Sequence, residues 1–183
     1  MTKYFIFIPN LLSIIRIVLV YPILNNIFLG NYQISILFFI IASITDALDG
    51  FLARTMNWQT RLGTILDPVA DKLLLSGTIF IFWLNELIPF YIFIIFISRD
   101  IAILLGAAIQ MSLIDTETPL PNFLGKLTTG LQIAYISIIF IKEIINFDIS
   151  LYLLDVFIII VTLLSLIVYA YNWFKDLRIY HNE

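Results

Sequence analysis

The sequence predicts an all-α integral membrane protein, a bundle of six transmembrane helices. Hydrophobic residues make up 61% of the 183 residues and charged residues only 13%, far below the roughly 25% charge of an ordinary soluble domain. Mean hydropathy is +1.02. The apolar residues also fall into six runs, each near the ~20 residues that a spanning helix needs. Backbone groups in hydrocarbon find no water to bond, so a span is a helix or part of a closed barrel. These runs are too long and too continuously apolar for the alternating strands of a barrel.

The first run extends from Pro9 to Leu29. Lys3 ahead of it mimics the start of a signal peptide. No small-residue cleavage site follows, however, and the run continues past Tyr21 and Leu24, so it is read as a retained helix. The second run covers Tyr32 to Ala53 and the third Gly63 to Leu84. The fourth covers Leu87 to Met111, the fifth Asn122 to Ile145 and the sixth Ile149 to Phe174. Gly30-Asn31 and Asn85-Glu86 make short turns, and Ser112 to Pro121 reads as an exposed loop. The length suits a single transmembrane domain over residues 1–183.

Six spans put both termini on one side. Lys3, Arg54, Arg61, Lys175 and Arg178 fall on that side, with Lys126 near it, and only Lys142 on the other. The excess of basic residues makes that side cytoplasmic. The net charge of -3 and the lack of a basic run exclude a nucleic-acid partner. Cysteine is absent, which excludes disulfides, thiolate metal sites and cysteine nucleophiles.

The chemistry concentrates in two stretches, Thr45 to Arg54 and Gly63 to Asp71. Asp46 and Asp49 are three apart and share one face of the second helix. Asp67 and Asp71 are four apart and share one face of the third. A short connection joins these helices, so four carboxylates can converge near one membrane boundary. A lone acid in a bilayer is costly, and four together repel one another. Divalent cations relieve both problems. All-oxygen donors suit Mg²⁺ or Mn²⁺, and two ions about 3.5–4 Å apart are usual in phosphoryl chemistry.

Neighbouring residues fit the same picture. Gly50, Ala53 and Gly63 leave room for a ligand or a second backbone. Arg54 stands one turn beyond Gly50 and can reach a diphosphate. Thr60 offers a hydroxyl. Pro68 biases Asp67 away from ideal helix and helps aim it. Taken singly, these features have plainer readings. Asp46 and Asp49 suit a helix cap or an interfacial pair, Asp67 and Asp71 a buried salt bridge with Lys72, and either glycine ordinary packing. Separate roles do not account for eight positions in one order across two adjacent helices.

Those eight positions resemble the signature of the CDP-alcohol phosphatidyltransferases, D-x2-D-G-x2-A-R-x8-G-x3-D-x3-D. Here they read Asp46, Asp49, Gly50, Ala53, Arg54, Gly63, Asp67 and Asp71, with every spacing met. The chain's length and six helices also match that family's minimal core. The resemblance implies a metal-dependent transfer of a phosphatidyl group from CDP-diacylglycerol to an alcohol, with release of CMP. It implies that Asp46, Asp49 and Asp67 bind two Mg²⁺ or Mn²⁺ ions, with Asp71 as a further ligand and the general base. It places Asn10, Gly50, Ala53, Arg54, Thr60 and Gly63 around the CDP-lipid. It also implies a homodimer in contact with membrane lipids, in a bacterial inner membrane with the site facing the cytoplasm.

Two further stretches bear on the acceptor alcohol. Ser98-Arg99-Asp100 interrupts the fourth helix, and Gly125-Lys126-Leu127-Thr128-Thr129 opens the fifth. Arg99 and Lys126 can hold an acceptor phosphate, Lys126 with help from a helix N-terminus. Equally, Arg99 can pair with Asp100 or an acid of the cluster, and Lys126 can snorkel to the interface. These stretches, with Ile8 to Leu12 and Leu66 to Lys72, are similar to the phosphatidylglycerol branch of the family. That branch holds phosphatidylglycerophosphate synthases, which use glycerol 3-phosphate, and CMP-forming cardiolipin synthases, which use phosphatidylglycerol. Ile97-Ser98-Arg99-Asp100 leans to the second, Asn57 to Arg61 to the first. Glycerol 3-phosphate is the expected acceptor. A rival of another class is a cation transporter whose carboxylates bind the transported ion. Acids at mid-membrane would favour it, whereas these lie near a helix end beside Arg54.

Overall fold

Six helices follow one another along the chain: α1 Ile8–Phe28, α2 Tyr32–Thr55, α3 Gly63–Leu84, α4 Phe90–Leu113, α5 Phe123–Ile145 and α6 Tyr152–Tyr180. They come from a computed structural model. It describes residues 8–56, 58, 60, 63–113 and 123–180, with backbone alone at 8, 53–54, 64–65, 107–113, 123 and 172–180. No strand occurs among the described residues. Among the described residues, four helices contain a stretch long and apolar enough to cross a membrane: Pro9–Phe28, Tyr32–Leu52, Leu124–Ile145 and Tyr152–Tyr171. The other two carry Asp67, Asp71 and Lys72 on α3 and Arg99 and Asp100 on α4.

Burial supports the membrane reading. Many buried positions are polar: Ser13, Arg16, Thr78, Thr128, Gln132, Asp155, Thr162 and Ser165. Large apolar side chains face outward on every helix, among them Leu37, Leu73, Leu105, Phe157 and Ile167. A water-soluble bundle segregates the other way. Here the surroundings are themselves apolar, and polar groups gain only from one another.

The chain divides into two compact units. The first combines Met1–Ile88 with Ile136–Phe147. Its helix ends follow one pattern. Gly30 caps α1 in the left-handed region, at φ 76°. Its N–H donates to the Ile27 carbonyl, and that of Asn31 to the Asn26 carbonyl. This pair of bonds satisfies carbonyls that the helix end would leave unpaired. Glu86 repeats the arrangement after α3 at φ 59°; after α5, Asn146 is left-handed at φ 53° and the Phe147 N–H donates to the Lys142 carbonyl. The left-handed Glu86 delays the next helix. Pro89 then supplies the carbonyl that accepts the first bonds of α4, so α4 begins at Phe90 rather than at the expected Leu87.

Inside this unit, Ile23 and Ile27 of α1 share the core with Ile79 and Phe82 of α3. Phe140 stands 5.1 Å from Phe82, edge-on, and 5.7 Å from Phe39. Gly77 admits Leu24, whose Cδ1 lies 3.0 Å from where a Cβ would be. Pro22 and Pro68 remain within continuous helix.

The second unit combines Pro89–Tyr135 with Asp148–Glu183. Asp155 of α6 is buried and accepts hydrogen bonds from Tyr91 at 3.0 Å and Tyr135 at 2.8 Å. Tyr169 donates to the Ile103 carbonyl at 3.2 Å. Gly106 makes room for that ring, since a Cβ there would stand 2.6 Å from the Tyr169 hydroxyl oxygen.

Candidate functional site

The site assembles at the N-terminal half of α1. Asn10, Ser13 and Arg16 recur every three residues, so one face of an otherwise apolar helix carries three polar side chains, all buried. That face meets the ends of α2 and α3 that bear the acids.

Arg16 is the centre. It is fully buried, and its guanidinium contacts three of the four signature carboxylates. One terminal nitrogen pairs with Asp46 at 2.9 Å and also with Asp71. The other pairs with Asp49, which is 2% exposed. The fourth, Asp67, accepts the hydroxyl hydrogen bond of Ser13, whose oxygen also lies 3.0 Å from the Pro9 carbonyl. Asp46 and Asp71 keep 49% and 46% of their side chains exposed. The cluster therefore has a buried floor, Asp49 and Arg16, and a solvent-accessible rim.

Beside it lies a second, smaller network. Thr60 donates to Asn10 Oδ1 at 2.7 Å and accepts from the backbone N–H of Gly63 at 2.9 Å. Gly63 lets these two side chains come close. A Cβ there would stand 2.8 Å from Asn10 Oδ1 and 3.2 Å from Thr60 Oγ1. A side chain on α1, a connecting residue and the first residue of α3 are thereby tied together.

The expectations drawn from sequence thus meet in one place for Asp46, Asp49, Asp67, Asp71, Asn10, Thr60 and Gly63. Gly50 lies on α2, one residue past Asp49. The side chains of Ala53 and Arg54 fall outside the described residues, as do Asn57, Gln59 and Arg61 and residues 114–122.

Arg99, in the second unit, is buried and heavily engaged. It pairs with Asp100 at 2.8 Å and donates to the Gly125 carbonyl and the Thr128 hydroxyl, both at 2.9 Å. Its Nε has no partner among the described residues. Lys126, one residue after Gly125, is exposed.

Two residues escaped the sequence reading, Arg16 and Ser13. The signal was present. A lone arginine deep in an apolar helix needs an anionic partner, and Asp46, Asp49, Asp67 and Asp71 were the acids on offer. Ser13 sits midway between Asn10 and Arg16 on the same face.

Among the described residues, no group of three acidic side chains is arranged to hold a metal ion as it stands. The donor chemistry nevertheless fits one. Three carboxylates contact a single guanidinium and the fourth a serine hydroxyl, so acids outnumber the cation they touch. Excess negative charge carried entirely by oxygen is what hard divalent cations take.

Residues 6–172 match the family model described as CDP-alcohol phosphatidyltransferase. The chain is 34% identical over 176 residues to a CDP-diacylglycerol--glycerol-3-phosphate 3-phosphatidyltransferase of Aquifex aeolicus, covering 92% of this chain and 96% of that protein. It is 36% identical over 147 residues to the Bacillus subtilis protein of the same name, covering 71% and 74%. It is 32% identical over 164 residues to the human Cardiolipin synthase (CMP-forming), covering 80% of this chain and 54% of that one. With its eight-position signature intact and its length matched almost throughout, the chain belongs to the CDP-alcohol phosphatidyltransferase family.

Proposed function

We propose that the protein transfers the phosphatidyl group of CDP-diacylglycerol to glycerol 3-phosphate, yielding phosphatidylglycerophosphate and CMP. The observation that carries this is the convergence of Asp46, Asp49 and Asp71 on one buried point, with Asp67 held one serine away. The acceptor rests on the relatives. Those named for glycerol 3-phosphate match over 96% and 74% of their own length, the human cardiolipin synthase over 54%.

In this reading Asp46, Asp49, Asp67 and Asp71 hold two Mg²⁺ or Mn²⁺ ions. When bound, the ions offset the charge of the diphosphate and of the departing CMP. Asn10, Gly50, Ala53, Arg54, Thr60 and Gly63 line the CDP-lipid site, and Asn10 and Thr60 brace each other there at 2.7 Å. Asp71, on the solvent-accessible rim, takes the proton of the acceptor hydroxyl. The hydroxyl oxygen then bonds to the lipid-side phosphorus. The bond from that phosphorus to the bridging oxygen breaks, and the bridging oxygen leaves with CMP. Arg99 and Lys126 bind the acceptor's phosphate. All six helices span a bacterial inner membrane as one domain of a homodimer, with the site on the cytoplasmic side.

The test is product identification. Purified protein in detergent is given CDP-diacylglycerol, Mg²⁺ or Mn²⁺, and either glycerol 3-phosphate or phosphatidylglycerol. CMP and phosphatidylglycerophosphate are expected with the first acceptor. Cardiolipin formed from the second alone overturns the acceptor assignment. No CMP with either overturns the catalytic reading and leaves the cation transporter as the rival.

A further inference from the structure

We propose that Arg16 is a positioning residue that competes with the divalent ions for the carboxylates, so that loading metal requires its guanidinium to withdraw. This rests on the metal-binding reading above.

The argument starts from the oxygens. Asp46 Oδ1, Asp49 Oδ2 and Asp71 Oδ1 all point at Arg16. A small divalent ion needs oxygens at about 2.0–2.1 Å in near-octahedral array. It cannot share that point with a guanidinium. An ion bound through the other carboxylate oxygens would still sit close to a like charge in a poorly solvated place, where repulsion is weakly screened.

The residue is also suited to hold the cluster and let it go. The planar fork reaches three acids with two nitrogens, which a lysine ammonium on its flexible stem cannot imitate. Its seat is incomplete, however. Arg16 is fully buried, yet its Nε has no partner among the described residues. Two of its three acids lie on the exposed rim, where water can replace the guanidinium. The arginine keeps mutually repelling acids in register until stronger cations arrive. It also sets a threshold, since metal binds only as tightly as its advantage over Arg16 allows.

The test measures Mn²⁺ binding to full-length protein in detergent, from loss of the free-ion electron paramagnetic resonance signal. Unfolding midpoints are recorded with and without Mn²⁺. Competition predicts that Arg16→Gln binds Mn²⁺ at least about tenfold more tightly than the unaltered protein, because one opposing charge is gone. Its midpoint without metal falls, and its gain on adding Mn²⁺ exceeds the unaltered protein's gain. Arg16→Lys, which keeps the charge and loses the fork, falls between the two. Should Arg16→Gln not survive without metal, Arg16→Lys carries the comparison, and tighter binding is again expected. A purely structural arginine predicts a lower midpoint with unchanged or weaker Mn²⁺ affinity, and that result overturns the proposal. If the unaltered protein binds no more Mn²⁺ than Asp49→Asn, the metal reading itself fails and this inference falls with it.

Discussion

Substituting Gly63 by alanine tests whether the Asn10–Thr60–Gly63 network shapes the nucleotide site. The added Cβ would lie 2.8 Å from Asn10 Oδ1 and 3.2 Å from Thr60 Oγ1. Ordinary carbon–oxygen contacts begin about 0.6 Å beyond the shorter of these, near the 3.4 Å edge of ordinary van der Waals separation. Asn10 must therefore retreat, and its 2.7 Å bond to Thr60 lengthens or breaks. Overpacking of this kind costs roughly 1–3 kcal/mol, and one lost hydrogen bond about 1 kcal/mol more. Alanine's better helix propensity returns up to about 1 kcal/mol. The net loss of stability is thus about 1–3 kcal/mol. Activity should suffer more, because an ångström of misplacement at a reacting centre can cost about a hundredfold. The assay is CMP release from CDP-diacylglycerol, normalised to folded protein, with the unfolding midpoint measured in parallel. A tenfold to hundredfold fall in kcat/KM is expected, by roughly that reasoning. The double variant Asn10→Ala/Gly63→Ala should be little worse than Asn10→Ala alone, since the obstructed oxygen is gone. Unaltered kcat/KM in Gly63→Ala would refute the assignment of this network to the nucleotide. Strict additivity in the double variant would refute the steric cause.

Other expectations follow from the same contacts. Asp71→Asn should retain CDP-diacylglycerol binding, measured by equilibrium binding, while kcat falls by about 10²–10⁴, the usual worth of a general base; normal turnover would remove Asp71 from that role. Lys126→Gln should raise the KM for glycerol 3-phosphate with kcat kept, because its exposed ammonium serves binding rather than chemistry; an unchanged KM would return Lys126 to the interface. Gly106→Ala should lower stability by about 1–3 kcal/mol through collision with the Tyr169 ring while leaving kcat per folded molecule intact; an unchanged unfolding midpoint would contradict the packing described. Tyr135→Phe removes one of two donors to the buried Asp155 and should cost about 1–3 kcal/mol, read from the same midpoint.

Much of this protein is legible in its residues because the bilayer simplifies the physics. With no water to satisfy the backbone, a long apolar run is a helix. All six expected runs are helices in the structure, and the third matches at both ends, Gly63 and Leu84. Where the ends moved, local backbone conformation moved them. Glu86 adopts a left-handed cap that its side chain does not advertise, and α4 starts three residues later than expected. The sixth helix continues to Tyr180, past the apolar stretch, because helix geometry does not stop where lipid does.

The acids followed the same logic. Spacings of three and four put Asp46 with Asp49 and Asp67 with Asp71, since helical periodicity is a local property of the chain. What periodicity cannot express is which face of one helix opposes which face of another, or at what height. That depends on packing between residues fifty or more apart. Ser13 reaches Asp67, Arg16 reaches Asp71, and Asn10 reaches Thr60 only because α1 settles against α3 in one register. Composition, periodicity and spacing suffice for six helices, two acidic pairs and the family signature. The tertiary structure alone decided that a buried arginine from the first helix stands among those acids, because opposite charges in a low-dielectric interior find each other through packing, not through proximity in the chain.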